Sequence, residues 1–230
     1  MESRESILDR LRAVRGVCEA KPRPAYAPES VFADIPNGGT RSLIEQFTRK
    51  LTALRGEVYH VSSLREAAQK IVALTGEGEL RRCGRQRAPL LDALFTTHQE
   101  LTDLESKMTH VGAEPLPHTA IEAMQCAFTA ADALVARTGS IVLRATTAGG
   151  RRLSVLPPVH CVVATAAQLV PCLSTWLGQV HADKAWSYST IITGPSRTAD
   201  IERILVLGAH GPKRLMVVIV DDQSHDMTGV

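Results

Sequence analysis

Two short, uninterrupted apolar runs in the C-terminal half constrain the fold more than any other feature of this sequence. Residues 160–165 read HCVVAT shortly after a Pro-Pro pair, and residues 215–220 read LMVVIV. Such runs, rich in β-branched residues and without polar alternation, are typical of strands buried on both faces of a parallel sheet. Parallel strands need crossover connections, so the chain must also supply helices.

Segments with helical spacing alternate with strand-like runs along the chain. Apolar residues recur every three or four positions in the predicted helices, whereas the predicted strands are short. This alternation predicts an α/β fold with a mostly parallel sheet, covered on both faces by right-handed crossovers. The predicted helices span residues 40–55, 64–74, 89–94, 119–136, 171–181 and 198–207, and the predicted strands 57–62, 108–111, 141–145, 160–165, 188–193 and 215–220.

A helix and a proline-rich arm precede this pattern. Apolar residues at helical spacing predict a helix from Ser3 to about Val17. Three prolines within KPRPAYAPES exclude regular structure, so Lys21–Gly39 is predicted to be a loop or an extended arm. The predicted organisation is residues 1–39 as N-terminal helix and arm, 40–222 as the α/β domain and 223–230 as a polar tail.

Charge and hydropathy argue against several classes of protein. The 230 residues contain 26 Lys and Arg against 24 Asp and Glu, a balance that argues against nucleic acid as the main partner. No apolar run approaches the roughly 20 residues needed to span a bilayer. The first residues are charged and amphipathic, without the apolar core of a signal peptide, so we expect a cytoplasmic protein.

Cysteine spacing gives no sign of a metal centre. The five cysteines contain no C-x-x-C pair; they are Cys18, Cys83, Cys126, Cys161 and Cys172. Zinc sites, iron–sulfur clusters and disulfide frameworks have recognisable cysteine spacings, and none of these is present. We therefore expect no metal site, and reduced thiols that pack as small core residues.

The strongest chemical signal is a Gly-Pro turn between a predicted strand and a predicted helix, at Gly194–Asp200. Such a turn can present free backbone N–H groups beside a helix N-terminus, which carries partial positive charge. Arg197 adds a planar fork suited to phosphate or carboxylate. The pattern predicts an anion or nucleotide-phosphate site formed by Gly194, Pro195, Ser196, Arg197 and Thr198. A local alternative stays open, in which a hydroxyl caps the helix and Asp200 complements its dipole.

Two further segments carry chemistry that the residues alone leave undecided. Thr138-Gly139-Ser140 places two hydroxyls beside a predicted strand as candidate ligand-binding groups, although Gly139 also fits a plain helix end. His210, in the turn GAHGP, titrates near neutrality and is a candidate acid or base. The alternative is that His210 only hydrogen-bonds the turn backbone.

A group of arginines surrounds Gly84, at Arg81, Arg82, Arg85 and Arg87. A solvated loop is the default interpretation, and a site for an acidic partner or a phosphorylated ligand is the sharper alternative. His160 opens a strand that is predicted to be buried, so its side chain is expected to be packed in the core.

Three segments together resemble one known family. They are Thr138-Gly139-Ser140, Leu156-Pro157-Pro158-Val159-His160, and the run TGPSRTADIE at 193–202 followed by GAHGP at 208–212. This combination resembles the LUD domain, in particular its lactate-utilization protein C branch. The resemblance is strong over residues 119–222 and weaker over 40–118. The sequence departs from the family at Arg137, where an acidic residue often precedes Thr-Gly.

The resemblance implies both a fold and a role. The implied fold is a three-layer α/β/α arrangement like that of the ribose-5-phosphate isomerase and CoA-transferase superfamily. The implied role is the oxidation of L-lactate to pyruvate beside two iron–sulfur partner subunits. Because this sequence lacks cluster-type cysteine spacing, it would be the cluster-free accessory component, and Asp200 and His210 would be the candidates for proton transfer.

Two other functions stay open at this point. The first is an independent enzyme of the same superfamily that acts on a phosphorylated, folate or CoA substrate. The second is a non-catalytic interaction module whose arm, Lys21–Gly39, docks a partner.

Replacing Arg197 by alanine tests the predicted anion site directly. Arg197→Ala is expected to abolish anion or nucleotide binding and to leave the fold intact, because the substitution removes the cationic fork and no core group. Titration calorimetry measures the affinity, and an affinity equal to that of the wild type would disprove the assignment.

Overall fold

Six parallel strands form the central sheet, in the order β1-β12-β7-β4-β2-β3. The structure, a computed structural model, describes residues 4–15, 39–76, 82–112, 116–144, 150–180, 188–198, 206–207 and 211–221. The strands of the central sheet are β1 Glu57–Val61, β2 Cys83–Gln86, β3 Met108–Val111, β4 Cys126–Ala130, β7 Val159–Thr165 and β12 Arg214–Val220. The two apolar runs therefore form adjacent inner strands, β7 and β12, as predicted.

Both faces of the central sheet are covered. On one face, side chains of β7 and β12 such as Val162 and Val217 pack against Phe47 of α2. On the other face, Val163 and Val218 share a core with residues of α3 and α4. The α/β fold and the three-layer arrangement are therefore confirmed. The helices are α1 Arg4–Arg15, α2 Thr40–Ala53, α3 Leu64–Gly76, α4 Pro89–Thr97, α5 Thr102–Glu105, α6 His118–Glu122, α7 Gly150–Leu153 and α8 Leu173–Val180.

A second sheet of four strands packs onto the same face as α2. Its order is β8-β5-β6-β9, and Leu134 and Ile141 of this sheet share the core with α2 and β12. The predicted strands at 141–145 and 188–193 belong here, paired antiparallel, and not to the parallel sheet. The strands of this sheet are β5 Ala133–Val135, β6 Ser140–Arg144, β8 Leu169–Val170 and β9 Ser189–Ile192.

The predicted helix over residues 119–136 is wrong. Only α6, His118–Glu122, is helical there, and the rest of the segment contains β4 and β5. Strand β4 is buried on both faces, so it carries no polar alternation. Its small apolar residues fit helical spacing as well as strand spacing, and periodicity alone does not separate the two.

The predicted helix over residues 198–207 is wrong at both of its described ends. Arg197–Thr198 and Val206–Leu207 form strands β10 and β11, which pair antiparallel with Arg197 opposite Leu207. The residues between them lie outside the described part of the chain. Because this segment contains five aliphatic residues within seven positions, 201–207, its pattern satisfied a helical spacing without specifying a helix.

The N-terminal prediction is confirmed for the helix, which spans Arg4–Arg15 as α1. The predicted arm, apart from Gly39, and the tail at 223–230 lie outside the described residues. The chain divides into two compact units, Met1–Asp34 and Ile35–Val230. The domain boundary at residues 39–40 stays a prediction.

Arg85, one of the arginines around Gly84, lies on strand β2 in a buried ion-pair network. Its interpretation as part of a solvated loop is therefore wrong. The Arg85 side chain is 4% exposed and donates to Asp92 at 2.5 Å and to Glu105 at 2.9 Å. His110 lies 2.9 Å from the same Glu105 carboxylate. A buried guanidinium requires such partners, because an unpaired charge there would be strongly destabilising.

His160 lies on β7 with no exposed surface, as predicted. Its Nε2 atom is 2.8 Å from Oγ1 of Thr129 on β4, whereas Nδ1 has no hydrogen-bond partner within the described residues. Burial lowers the pKa of His160 to about 4 from 6.5. The imidazole is therefore neutral at pH 7, and a proton on Nε2 leaves a bare lone pair in the core and not an orphaned N–H group.

This burial predicts a loss of stability in acid. As the pH falls from 6.5 to about 4, the unfolded chain takes up a proton that the folded chain refuses. The free energy of unfolding should fall by roughly 3 kcal/mol over that interval. His160→Gln keeps a donor for Thr129 without titrating, so urea unfolding of this variant should show a smaller fall than the wild type. His98→Gln, at a partly exposed position with no ion pair among the described residues, is the control and should follow the wild type. Parallel curves for all three proteins would contradict the assignment.

Candidate functional site

The two hydroxyl-bearing segments that the sequence singled out meet in the structure. Ser140 begins β6 and Thr193 follows β9, and these strands pair with Ile141 opposite Ile192. Oγ of Ser140 lies 2.7 Å from Oγ1 of Thr138 and 2.8 Å from Oγ1 of Thr193. We call Thr138, Ser140 and Thr193 the hydroxyl chain. Its middle member is buried, whereas its two ends reach the surface.

Two glycines allow this junction to pack closely against the C-terminal end of α2. Gly139 has a φ of 67° and Gly194 a φ of 94°, in the left-handed region that favours glycine. A Cβ atom on Gly139 would lie 2.6 Å from the backbone nitrogen of Leu51, and one on Gly194 would lie 3.3 Å from the carbonyl oxygen of Leu54. Gly139 therefore serves a hairpin turn between β5 and β6, and its interpretation as a helix end is wrong.

The turn Gly194-Pro195-Ser196 is hydrogen-bonded to, and packed against, neighbouring turns. Pro195 is buried, and the N–H of Ser196 donates to the carbonyl of Pro212 at 2.8 Å. A Cβ atom on Gly211 would lie 3.1 Å from Cβ of Ser196. The N–H of Lys213 in turn donates to the carbonyl of Pro158 at 2.8 Å. The described residues of the three segments that carry the family resemblance thus assemble around the amino ends of β7 and β12.

Two premises of the predicted anion site do not hold in the structure, whereas the site itself stays a prediction. The Ser196 N–H is not free, and Arg197 and Thr198 lie in strand β10 and not at a helix N-terminus. Ligands of open α/β sheets bind at the carboxyl ends of the strands, whereas this turn lies at the amino ends of β7 and β12. The exposed side chain of Arg197 remains as a cationic group. Asp200 and His210 lie outside the described residues, so their assignments stay predictions.

The carboxyl edge of the central sheet contains a crevice that sequence reasoning missed. Strands β4 and β2 are neighbours in the central sheet. The chain leaves β2 towards β3, its other neighbour, whereas it leaves β4 in the opposite direction, through the second sheet to β7. Ligands of open α/β sheets bind at such a switch point. A cavity of about 360 Å³ lies here; the polar side chains that line it are Gln86, Arg87, Asp132, Arg144 and Gln168.

Hydrogen bonds hold most of these side chains in place. Asp132 accepts 2.7 Å and 2.6 Å hydrogen bonds from Nε and the backbone N–H of Arg144. Gln168 donates to the carbonyl of Ala131 and accepts from the N–H of Thr165. The Gln86 side-chain oxygen accepts from the N–H of Ala130 at 3.3 Å. The walls of the cavity are therefore fixed before any ligand arrives.

Arg87 is the exception among these side chains. Its backbone N–H donates to the carbonyl of Val111 at 3.0 Å, which ties the first residue after β2 to the end of β3. Its exposed guanidinium forms no ion pair within the described part of the chain. The arginine group around Gly84 was the one sequence signal for this site, but strand β2 went unrecognised because CGRQ has no apolar pattern.

Candidate metal ligands are not grouped in the described part of the chain, where no set of three His, Cys, Asp or Glu side chains could hold an ion. Cys83, Cys126, Cys161 and Cys172 are unpaired and buried, and Cys18 lies outside the described residues. No helix among the described residues is long and apolar enough to cross a membrane.

Two glycine substitutions, one at the junction and one in an open helix position, test whether Gly139 is tightly packed. Gly139→Ala is expected to lower the free energy of unfolding by at least about 2 kcal/mol, because it adds a backbone clash to a left-handed conformation. Gly178→Ala is the matched control, since a Cβ atom on this residue of α8 meets nothing within 4 Å. The control should stabilise the protein by about 0.5–1 kcal/mol. Urea unfolding measures both, and equal effects would refute the tight junction.

Known proteins resemble this chain over most of its length. The profile of the LUD domain matches residues 44–220. Lactate utilization protein C of Halalkalibacterium halodurans is 27% identical over 208 residues, which cover 87% of this chain and 89% of that protein. The protein of the same name from Macrococcus caseolyticus is 29% identical over 166 residues, which cover 70% and 69%.

A solved structure shares the fold. A DUF162 family protein from Deinococcus radiodurans, determined by crystallography, superimposes with a TM-score of 0.59 at 21% sequence identity. The match covers 80% of this chain and 99% of that chain. At this level of identity the likeness is evidence about the fold alone.

Proposed function

Because this chain belongs to the LUD domain family, in its lactate-utilization protein C branch, we propose that it is a cytoplasmic accessory subunit for the oxidation of L-lactate to pyruvate. The observation that carries the proposal is the similarity to relatives named lactate utilization protein C, which extends over 89% of one of them. That similarity covers 87% of this chain, far more than the motif at residues 193–202.

We further propose that iron–sulfur partner subunits carry the electrons that lactate releases. The chemistry of the cysteines supports this division of labour. Cys83, Cys126 and Cys161 lie on the inner strands β2, β4 and β7, packed among core side chains. Burial raises the pKa of Cys161 to about 12. Metal ligation requires the thiolate, and Cys161 holds its proton at neutral pH.

We also propose which residues transfer protons. A carboxylate and an imidazole are the usual acid–base groups, so Asp200 and His210 keep that role in the proposal. The support for it is their position in the motif that carries the family resemblance, where Asp200 follows the turn at Gly194–Arg197 and His210 lies two residues before Pro212. Arg197 keeps its proposed contact with an anion, which the alanine variant tests.

Purification of the complex tests this function. The tagged full chain, recovered from its native cells grown on L-lactate, is expected to bring down iron–sulfur proteins in stoichiometric amounts. After mild dissociation, iron analysis should find the metal in the partner fraction, and lactate-dependent dye reduction should require the recombined complex.

The untagged chain, processed in parallel, is the control for adventitious recovery. A chain that purifies alone and turns over a phosphorylated, folate or CoA substrate would contradict the accessory role. That result would favour an independent enzyme of the same fold superfamily.

A further inference from the structure

We propose that the cavity at the carboxyl ends of β2 and β4 binds a small anion, whose carboxylate or phosphate group meets the guanidinium of Arg87. This site is distinct from the Gly194–Arg197 turn, which lies at the opposite edge of the central sheet. The proposal goes beyond the accessory function and stands whether or not the anion is lactate.

The position of the cavity is the first argument. Strands β2 and β4 are neighbours, but their outgoing connections run to opposite sides of the sheet, so no connection covers the crevice between their ends. Gln86 and Arg87 come from the end of β2, and Ala131 and Asp132 from the end of β4. The volume of about 360 Å³ falls within the range of small-molecule sites.

The charge of the lining is the second argument. Three charged side chains line the cavity, namely Arg87, Arg144 and Asp132. Arg144 and Asp132 neutralise each other through a 2.7 Å ion pair in which both side chains are about three-quarters buried. Arg87 is left without a carboxylate partner among the described residues, so the lining carries one positive charge in excess. An anion in the crevice would supply the missing partner, and a guanidinium binds carboxylate or phosphate through two parallel hydrogen bonds.

The orientation of Gln86 is the third argument. Its side-chain oxygen accepts from the N–H of Ala130, and a backbone N–H can only donate. The amide nitrogen of Gln86 is therefore the free end of this side chain, and it offers N–H donors next to Arg87. Gln168, by contrast, uses both ends of its amide on Ala131 and Thr165. The cavity thus presents donors and a cation, which is the chemistry that an anion requires.

The stem of Arg87 is located by its neighbours. A Cβ atom on Gly112, just after β3, would lie 3.3 Å from Cδ of Arg87, so the absence of a side chain at Gly112 leaves room for the arginine. The backbone hydrogen bond from Arg87 to Val111 holds the same residue at its other end. The backbone of Arg87 is therefore held at the end of β3, and its side-chain stem runs beside Gly112.

Titration of the full chain by nuclear magnetic resonance tests the site, because the side-chain N–H signal of Arg87 reports both location and affinity. The titrants are L-lactate, pyruvate, inorganic phosphate and a sugar phosphate, each at constant chloride concentration. At least one of them is expected to shift the Arg87 signal with saturation. Arg87→Ala should weaken that binding at least about tenfold, whereas Arg87→Lys, which keeps the charge but not the fork, should weaken it less.

Arg82→Ala is the matched control, since Arg82 is an exposed arginine just before β2, at its amino end. It should bind like the wild type, and thermal unfolding should show all variants folded. The proposal is overturned if none of the four anions binds, if Arg82→Ala loses as much affinity as Arg87→Ala, or if only Arg197→Ala loses affinity. Binding of phosphate compounds without lactate or pyruvate would support the site and count against the lactate function, so the two failures are distinguishable.

Discussion

The burial of β7 and β12 on both faces is the constraint on which the rest of the structure depends. Strand β12 pairs with β1 on one side and β7 on the other, over seven residues with β7. Strand β12, the last of these strands in the chain, therefore joins β1 to the rest of the sheet, and the sheet is incomplete without it. Because apolar surface on both faces must leave water, α2 and the second sheet cover one face while α3 and α4 cover the other.

The sequence predicted those elements whose pattern was set by local chemistry, and failed where burial removed the pattern. The helix over 40–55 was correct because Leu43, Phe47 and Leu51 form one buried stripe on an otherwise polar segment. Strand β4 was taken for a helix because it is buried on both faces and its small residues fit either period. Strand β2 was missed because one of its buried residues is Arg85. The burial of this charged side chain depends on its ion pairs with Asp92 and Glu105. Long-range partners of this kind are not readable from one segment.

The candidate site divides in the same way. The sequence drew attention to the hydroxyls of Thr138 and Ser140, and the pairing of β6 with β9 joins Thr193 to them in one hydrogen-bonded chain. The assignment of Thr138 and Ser140 to a ligand stays a prediction, and Gly139 and Gly194 place both hydroxyls at a tight junction against α2. The switch-point cavity escaped notice because it is made by strand order, which follows from tertiary pairing. The family motifs and the cavity thus lie at opposite edges of the central sheet.

The central claim is that this chain binds a small anion at the carboxyl edge of its parallel sheet, through Arg87. A crystal structure determined with the anion that binds most tightly tests it most directly. Density for the anion is expected between β2 and β4, within hydrogen-bond distance of the Arg87 guanidinium. Density at the Gly194–Arg197 turn, with the cavity between β2 and β4 holding only solvent, would contradict it.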